Sequence, residues 1–232
     1  IQVIHDKKLL PYAIENVKAV SRDRKCLVEE FKPGTLHSVS CFIRDSKIIR
    51  AFIVDEYCTD YPYAVNESNF PSRLPDRIKL QAVADVQALI DSLGMVDGLL
   101  HVQIIFHGQK IYLIESMRRM PGDFYGKLIS LSTNYAYYED YAASFTQSEY
   151  TSINHGSSEI ERFIARQTIT SLNPKVFTGV SFKCAGRLIE LFSFTKSGQV
   201  MDMFPADKQG IAFFEYASRK TFLREMGTLI KH

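Results

Sequence analysis

Tryptophan is absent from the 232 residues, and no apolar run approaches the roughly 20 residues of a membrane-spanning helix. Excess charge is also small, since 28 Lys and Arg against 26 Asp and Glu give a formal net charge of +2. A dedicated nucleic-acid binder would carry a strong basic excess. Internal repeats and low-complexity tracts are lacking too. What remains is an ordinary globular composition, 46% hydrophobic and 23% charged, with neither a membrane nor a nucleic acid as expected partner.

Cysteine is scarce and not arranged for metal binding. Cys26, Cys41, Cys58 and Cys184 show no CxxC or Cys/His spacing, and three of them lie in apolar, strand-like runs. We expect buried free thiols in a protein of the reducing cytoplasm.

The first residues, Ile1 to Ile4, resemble a strand entered midway, with neither an initiator Met nor a signal-peptide pattern. We therefore expect the chain to be a fragment of a longer protein. Its length is enough for one large domain or two small ones.

Hydrophobic periodicity predicts an α+β fold, with mostly antiparallel sheets flanked by helices. Helical spacing is found after Asp6, from Arg77 to Gly94 and in two stretches between residues 124 and 145. Strands are predicted at 1–4, 26–31, 37–43, 48–54, 177–183, 188–195 and 200–204. Residues 55–77 are predicted to be a long functional or mobile loop, residues 161–170 a short helix or strand, and residues 218–230 a final helix.

Residues 97–127 contain the most informative pattern. Val102, Ile104 and Phe106 alternate with their neighbours, a His-Gly-Gln turn follows, and the chain becomes apolar again from Ile111. This pattern predicts a β-hairpin. With residues 108–110 as a three-residue loop, Gln103 lies opposite Glu115, and His101 lies opposite Met117.

Polar groups would then converge at the end of this hairpin, where Arg118 and Arg119 follow directly. Carboxylate and amide oxygens suit a hard cation, and guanidinium groups suit phosphate oxygens. The same stretch also fits an edge hairpin whose charges face water, and the residues alone leave both interpretations open.

The run H-x-Q…YLIES-x-R-R-x-P-G-D resembles the metal-binding strand pair of ATP-grasp enzymes, H-x-E…IE-x-N-x-R followed by a Gly-rich turn. The resemblance implies Glu115 and Gln103 as magnesium ligands, although Gln103 stands at an acidic position. It implies Arg119 as the cation that stabilises the acyl-phosphate stage, with Arg118 as an alternative or as a partner of the substrate carboxylate. Met117 replaces the family's Asn, and a thioether is a poor ligand for Mg²⁺.

A second stretch, LVEEFKPGTLHSVSCFI, resembles the ATP-grasp hinge L-V-E-E-F-x-x-G-x-E-x-S-x-D. This likeness implies that Glu29, Glu30 and Phe31 lie along the adenine. The family's ribose-binding Glu falls at Leu36, which leaves His37 as the nearest polar substitute. Without the resemblance, Glu29 and Glu30 would be solvated charges at a strand end.

The resemblance covers about residues 1–145 and is nearest to the carbamoyl-phosphate-synthase large-chain-like or biotin-carboxylase-like branch. It implies a partial ATP-grasp domain at 1–145, whose phosphate-clamping Lys and Gly-rich loop would precede residue 1. Residues 146–160 are then a linker. Residues 161–232 form a small α+β appendage without a site, and its Arg and Lys residues are assigned to solvent.

The implied activity is that of an ATP-dependent carboxylate-amine, or carboxylate-thiol, ligase that uses ATP and Mg²⁺. Its partners would be a small-molecule carboxylate and an amine, and a homodimer is compatible with the sequence. The substitutions at Gln103, Leu36 and Met117 favour an alternative, a degenerate, non-catalytic ATP-grasp domain that binds a nucleotide or a protein partner. In a third interpretation, both matches are accidental and the domain is purely structural.

Overall fold

The computed structural model describes residues 1–146, 148, 150 and 162–227. The chain divides into two compact units, Ile1–Pro33 and Gly34–His232. The linker predicted at 146–160 lies largely outside the described residues and stays a prediction. The strands that follow it are hydrogen-bonded into the same sheet as the strands that precede it.

The first unit is helical at its centre. A 3₁₀ turn at Lys7–Leu9 leads into α1, Leu10–Val20. The Asp6 carboxylate accepts a hydrogen bond from the Lys8 amide at 2.9 Å and so caps the 3₁₀ turn. The strands predicted at 1–4 and 26–31 are wrong, because neither segment has regular secondary structure. Apolar residues favour a strand only where a neighbouring strand pairs with their backbone groups.

The described residues of the second unit form ten strands and four helices, which follow one another in a mixed order along the chain. The helices are α2 (Asp76–Leu93), α3 (Tyr125–Thr133), α4 (Tyr137–Thr146) and α5 (Arg219–Glu225). The strands are β1 (Thr35–Arg44), β2 (Lys47–Tyr57), β3 (Glu67–Phe70), β4 (Gly98–His107), β5 (Lys110–Met117), β6 (Phe163–Ile169), β7 (Lys175–Val176), β8 (Arg187–Ser193), β9 (Val200–Met201) and β10 (Gly210–Tyr216).

Eight of these strands form one sheet in the order β5-β4-β1-β2-β3-β6-β10-β8, and β7 pairs with β9 in a second, two-stranded sheet. All the pairings are antiparallel. The expected α+β class with a large antiparallel sheet is therefore confirmed. β3 joins the two halves of the sheet, since it pairs with β2 on one side and β6 on the other.

Several strand predictions need correction. Residues 55–77 are not one loop, because they contain β3, which was too short and polar to show a strand pattern. Residues 177–183 form no strand, and 200–204 contribute only the two residues of β9. The apolar run of β10 was missed. Residues 161–170 hold a strand rather than a helix, because β6 finds partners on both sides.

The hairpin register is confirmed, although its loop is not the predicted one. His107 pairs with Lys110, so the turn has two residues, Gly108 and Gln109, instead of three. A β-bulge between Gln103 and Ile104 then restores the missing residue. Gln103 consequently pairs with Glu115, and His101 with Met117, as the sequence predicts.

Each face of the sheet packs against its own helices. On one face, Val39 and Cys41 contact the apolar side of α2, which buries Ile78, Val86 and Ile90 and ends at Gly94 with φ +57°. On the other face, Phe42 and Leu99 pack with α3 and α4. Strand residues alternate between faces, so each polar residue of the sheet is assigned to one of these two environments.

The four cysteines are free thiols, as expected, but the expected burial holds for Cys41 alone, because Cys26, Cys58 and Cys184 are half-buried. Within the described ranges, no helix is both long and apolar enough to cross a membrane.

Candidate functional site

A line of polar side chains crosses six adjacent strands on the face that packs with α3 and α4. Direct pairing places Ser38 beside Gln103, Gln103 beside Glu115, Glu56 beside Ser68, and Ser68 beside Arg166. Directly paired residues share a face, and so do residues two apart on a strand. We call this set the polar row; its members, in sheet order, are Glu115, Gln103, Ser38, Glu56, Ser68 and Arg166.

Glu56 is the acidic centre of the polar row. Its side chain is buried, and its Oε2 accepts a hydrogen bond from Gln103 Nε2 at 2.7 Å. Burial raises the pKa of the Glu56 carboxyl, while hydrogen bonds from Ser38 and Gln103 and the charge of Arg166 oppose that rise. An acidic side chain from β2 therefore lies next to the Gln103 amide.

Arg166 supplies the buried cation of the polar row and corrects the prediction that the C-terminal arginines face solvent. It is only 2% exposed. Its Nη2 donates to Ser68 Oγ at 2.9 Å, and its Nη1 donates to the Asp123 carbonyl oxygen at 3.3 Å. Burial lowers the pKa of the guanidinium, and the charges of Asp123 and Glu56 counteract this. An arginine remains protonated under these conditions.

Asp123 connects this cation to the loop that follows β5. Its carboxylate accepts two hydrogen bonds from Lys208 Nζ, at 2.8 and 2.7 Å, and lies 3.7 Å from Arg166 Nη1. Two cations of the C-terminal segment, one on β6 and one between β9 and β10, thus hold one loop carboxylate. The segment predicted to carry no site contributes both of them.

Sequence reasoning missed Glu56, Arg166 and Lys208. A signal existed for the first two, because a charged residue at the end of an apolar strand, or between apolar neighbours as in I-A-R-Q-T-I, is unusual. Their meeting could not be foreseen, since it requires β3 to bridge β2 and β6.

The donors of the polar row fit a Mg²⁺ that arrives with its phosphates. No group of three or more His, Cys, Asp or Glu able to hold a metal ion occurs in the part of the chain that is described. Glu115 is exposed beside Gln103, and because Gln103 Nε2 is engaged with Glu56, its Oε1 is the atom left to face a cation. Mg²⁺ is commonly held by one or two carboxylates together with substrate phosphates and water. Of these ligands the polar row can provide a carboxylate, with an amide oxygen beside it.

The two adjacent arginines have different surroundings. Arg118 Nη2 donates to the carbonyl oxygens of Val96 and Asp97, both at 2.8 Å, and so ties β5 to the segment before β4. Arg119 is exposed and donates to the neighbouring Met120 carbonyl at 3.1 Å. Burial lowers the pKa of His101 to about 4, with a smaller contribution from the charge of Arg119, so this imidazole is neutral at pH 7.

His37 lies on the opposite face of β1 and is not brought together with the polar row. The imidazole is 1% exposed, with Nδ1 at 2.7 Å from Asp55 Oδ1 and Nε2 at 2.7 Å from Thr35 Oγ1. Asp55 also accepts hydrogen bonds from Ser72 Oγ and the Arg73 amide.

The hinge residues belong to the first compact unit. Glu29, Glu30 and Phe31 are exposed and have no regular secondary structure. Glu30 pairs with Lys32 at 2.6 Å. Their role along the adenine stays a prediction.

The raised pKa of Glu56 leads to a testable pH dependence. Because the folded-state pKa exceeds the unfolded one, Glu56 favours folding fully below its unfolded pKa, and this contribution is lost as pH rises through the folded pKa. Glu56→Gln removes the titration. We therefore expect the variant to melt above the wild type at pH 8, by about 2–4 °C for roughly 1 kcal/mol, and the difference to shrink at pH 5.

Thermal unfolding followed by circular dichroism at both pH values measures this difference. Glu139→Gln, which changes an exposed glutamate on α4, is the matched control and should show equal shifts at both pH values. A Glu56→Gln variant that is less stable than the wild type at pH 8 would contradict the electrostatic description of this site.

Comparison with known proteins first gives a negative finding, since no family model and no curated protein sequence matches the chain. Solved structures do match. An L-amino acid ligase from Bacillus licheniformis superposes with a TM-score of 0.76 and 16% identity, over 99% of this chain and 60% of its own. Biotin carboxylase from Campylobacter jejuni, solved as a β,γ-ATP complex, superposes with a TM-score of 0.73 and 14% identity, over 99% of this chain and 54% of its own.

A phosphoribosylglycinamide synthetase from Anaerococcus prevotii gives a TM-score of 0.71 and 14% identity, over 98% of this chain and 61% of its own. The chain thus spans between 54% and 61% of the length of these three proteins. At such low identity the likeness establishes the fold, and the fold agrees with the resemblance found in the two sequence motifs. The chain therefore has the ATP-grasp fold, of the biotin-carboxylase-like type.

Proposed function

We propose that this chain is the metal-binding and catalytic part of an ATP-dependent ligase, which activates a carboxylate as an acyl phosphate and transfers the acyl group to an amine. The observation that carries the proposal is the polar row. It places an exposed carboxylate and an amide oxygen at one end and a buried guanidinium at the other, on one face of one sheet. The proposal includes small-molecule carboxylate and amine partners and a location in the cytoplasm.

The reaction consists of two displacements. A carboxylate oxygen attacks the γ-phosphorus of ATP, the bond to the β-phosphate oxygen breaks, and ADP leaves. The amine nitrogen then forms a bond to the acyl carbon, phosphate leaves, and the amine proton passes to solvent. Both steps concentrate negative charge on phosphoryl or acyl oxygens, so fixed cations and the exclusion of water lower their barriers.

The residues present supply these requirements. Glu115 and Gln103 Oε1 would hold Mg²⁺, and the cation would neutralise phosphate charge. Arg166 is held in place by Ser68 and Asp123, so its charge is oriented before substrate binds. Arg119 is exposed at the end of β5 and can contact a mobile phosphate or carboxylate oxygen. His101 is buried and, because its pKa is lowered, neutral at pH 7, so it adds no positive charge of its own.

Glu115→Ala is the first test of this assignment. We expect the affinity of the full-length gene product for ADP to rise with Mg²⁺ in the wild type, and this Mg²⁺ dependence to fall by about tenfold or more in the variant, since a charge-bearing ligand is lost. Isothermal titration calorimetry with and without Mg²⁺ measures both affinities. Glu139→Gln, remote from the polar row on the exposed side of α4, should retain the wild-type response.

The second candidate function, a non-catalytic domain that binds a nucleotide or a protein, is favoured by Gln103 and Met117 at positions where the family has metal ligands. It predicts nucleotide binding that is indifferent to Mg²⁺, or no nucleotide binding. Unchanged Mg²⁺-dependent affinity in Glu115→Ala would instead reject the metal assignment while leaving the fold untouched.

A further inference from the structure

A cavity of about 470 Å³, widely open to solvent, lies between the loop after β5, the start of α3 and strand β8. It shares Asp123 with the catalytic region, because the same residue lines the cavity and pairs with Arg166 at 3.7 Å. The volume is that of a small-molecule pocket. The polar row itself does not line the cavity, so the cavity is available for a part of the substrate that does not react.

One wall of the cavity is aromatic and rigidly built. The rings of Phe124 and Phe192 lie 4.5 Å apart between centroids, inclined at 32°. Asp123 and Phe124 both adopt left-handed backbone conformations, with φ of +57° and +54°. Consecutive non-glycine residues keep such conformations only where the surroundings fix them. Around these residues, Lys208 donates two hydrogen bonds to the Asp123 carboxylate, and the Phe124 ring lies against that of Phe192.

The charged groups of the cavity are not equally available. The Asp123 carboxylate is already paired with Lys208 and Arg166. Lys127 Nζ lies 2.9 Å from Glu190 Oε2 and 5.8 Å from the centre of the Phe192 ring, with 30% of its side chain exposed. An ammonium group has three donors, and this pair uses one of them. The cavity therefore combines an aromatic surface with N–H donors that can bind an anion.

From this combination we infer that the cavity binds an α-amino acid with an apolar, preferentially aromatic, side chain, and that this amino acid is the amine substrate of the proposed ligase. The inference rests on the proposed function. The side chain packs on Phe124 and Phe192, and the carboxylate accepts hydrogen bonds from Lys127. Because Lys127 holds the carboxylate, the amino group is the end left to attack the acyl phosphate.

Binding of three related compounds to the full-length gene product tests the inference without knowledge of the carboxylate substrate. L-Phenylalanine and 3-phenylpropanoate both carry the ring and the carboxylate, whereas phenethylamine lacks the carboxylate. We expect calorimetry in the presence of Mg-ADP to show binding of the first two, and at least about tenfold weaker binding of phenethylamine. No binding of L-phenylalanine, or equal binding of phenethylamine, would overturn the inference.

Two variants assign the binding to this cavity. Lys127→Gln should weaken L-phenylalanine about tenfold and leave the affinity for Mg-ADP unchanged. Lys79→Gln is its matched control, because Lys79 forms a similar ion pair with Asp76 at 3.1 Å and has 27% of its side chain exposed. Phe192→Leu should also weaken L-phenylalanine, by about fivefold through the lost ring contact, whereas Phe145→Leu, which changes a 70% exposed ring on α4, should not.

These measurements distinguish a failure of the cavity assignment from a failure of the proposed function. If Mg-ADP binds and L-phenylalanine binds equally well to wild type and Lys127→Gln, the cavity assignment fails and the proposed function stands. If Mg-ADP does not bind to the wild type, the proposed function fails, whatever the amino acid does.

Discussion

Replacing Arg166 by methionine should lower the rate of phosphate release from Mg-ATP by about 100-fold to 1,000-fold, with substrates at saturation. The affinity for Mg-ADP should remain within about twofold of the wild type, because the charge that Arg166 is proposed to stabilise develops in the transition state. Methionine approximates the length of the aliphatic stem and removes the charge. The loss should therefore fall on the rate constant rather than on nucleotide binding.

The fold should tolerate this change better than the reaction does. Asp123 keeps its two hydrogen bonds from Lys208, so its carboxylate is not left unpaired. Removing one partner of a buried ion pair costs about 3–5 kcal/mol where the other charge is left unpaired, and the remaining bonds from Lys208 to Asp123 limit that cost here. A melting temperature near that of the wild type, measured with the kinetics, would show that the lost rate is not the result of unfolding.

Arg162→Met is the matched control on the same segment. Arg162 precedes β6, pairs with Glu215 at 2.6 Å and has 32% of its side chain exposed. Its removal should leave the rate of phosphate release unchanged. If Arg166→Met retains more than about a third of the wild-type rate, the proposed electrostatic role of the buried guanidinium is wrong.

Phe42→Ala should destabilise the protein by about 3–5 kcal/mol, the largest stability effect that we expect from one substitution. Phe42 is completely buried, and its ring lies 5.6 Å from Tyr135 and 5.2 Å from Tyr137. Alanine would leave a cavity between the sheet and the helices α3 and α4. Chemical denaturation followed by circular dichroism gives the free energy of unfolding directly.

The position of Phe42 relates this stability to the site. Tyr137 donates to, or accepts from, Ser40 Oγ at 2.7 Å, and Tyr125 is similarly bonded to Ser38 Oγ at 3.0 Å. This tyrosine layer supports the start of α3, and hence the loop that carries Asp123. Phe145→Ala, which truncates a 70% exposed ring on α4, should cost less than about 1 kcal/mol. A similar small loss for Phe42→Ala would show that the layer can close over the gap.

Local patterns were sufficient wherever the information is carried by neighbouring residues. The periodicity of α2 and its terminal Gly94 identified the helix and its end. The alternation in β4, with the turn and the apolar run that follow it, gave the correct pairing of Gln103 with Glu115. The predicted register of the hairpin is correct although the predicted turn is not, because the turn is one residue shorter and a β-bulge compensates for that residue. Burial of one face fixes a register more strongly than the turn does.

The same patterns failed where a strand depends on distant partners. β3 has three polar residues and one aromatic residue at its end, and it becomes a strand only because β2 and β6 lie on either side of it. Residues 1–4 and 26–31 are the opposite case, because they contain strand-forming residues and yet have no regular secondary structure. Strand propensity is a preference for a paired, half-buried surface, and no short segment contains its own partner.

The sequence by itself determined the α+β class, the helices of the second unit, the Gln103 and Glu115 pair and the family resemblance that goes with it. Tertiary structure alone decided that Glu56 places an acidic group beside Gln103, that Arg166 is buried in the polar row, and that His37 lies on the opposite face. The reason is physical: these charges meet through sheet pairing between segments about 50 to 110 residues apart, and burial then sets their pKa values and partners.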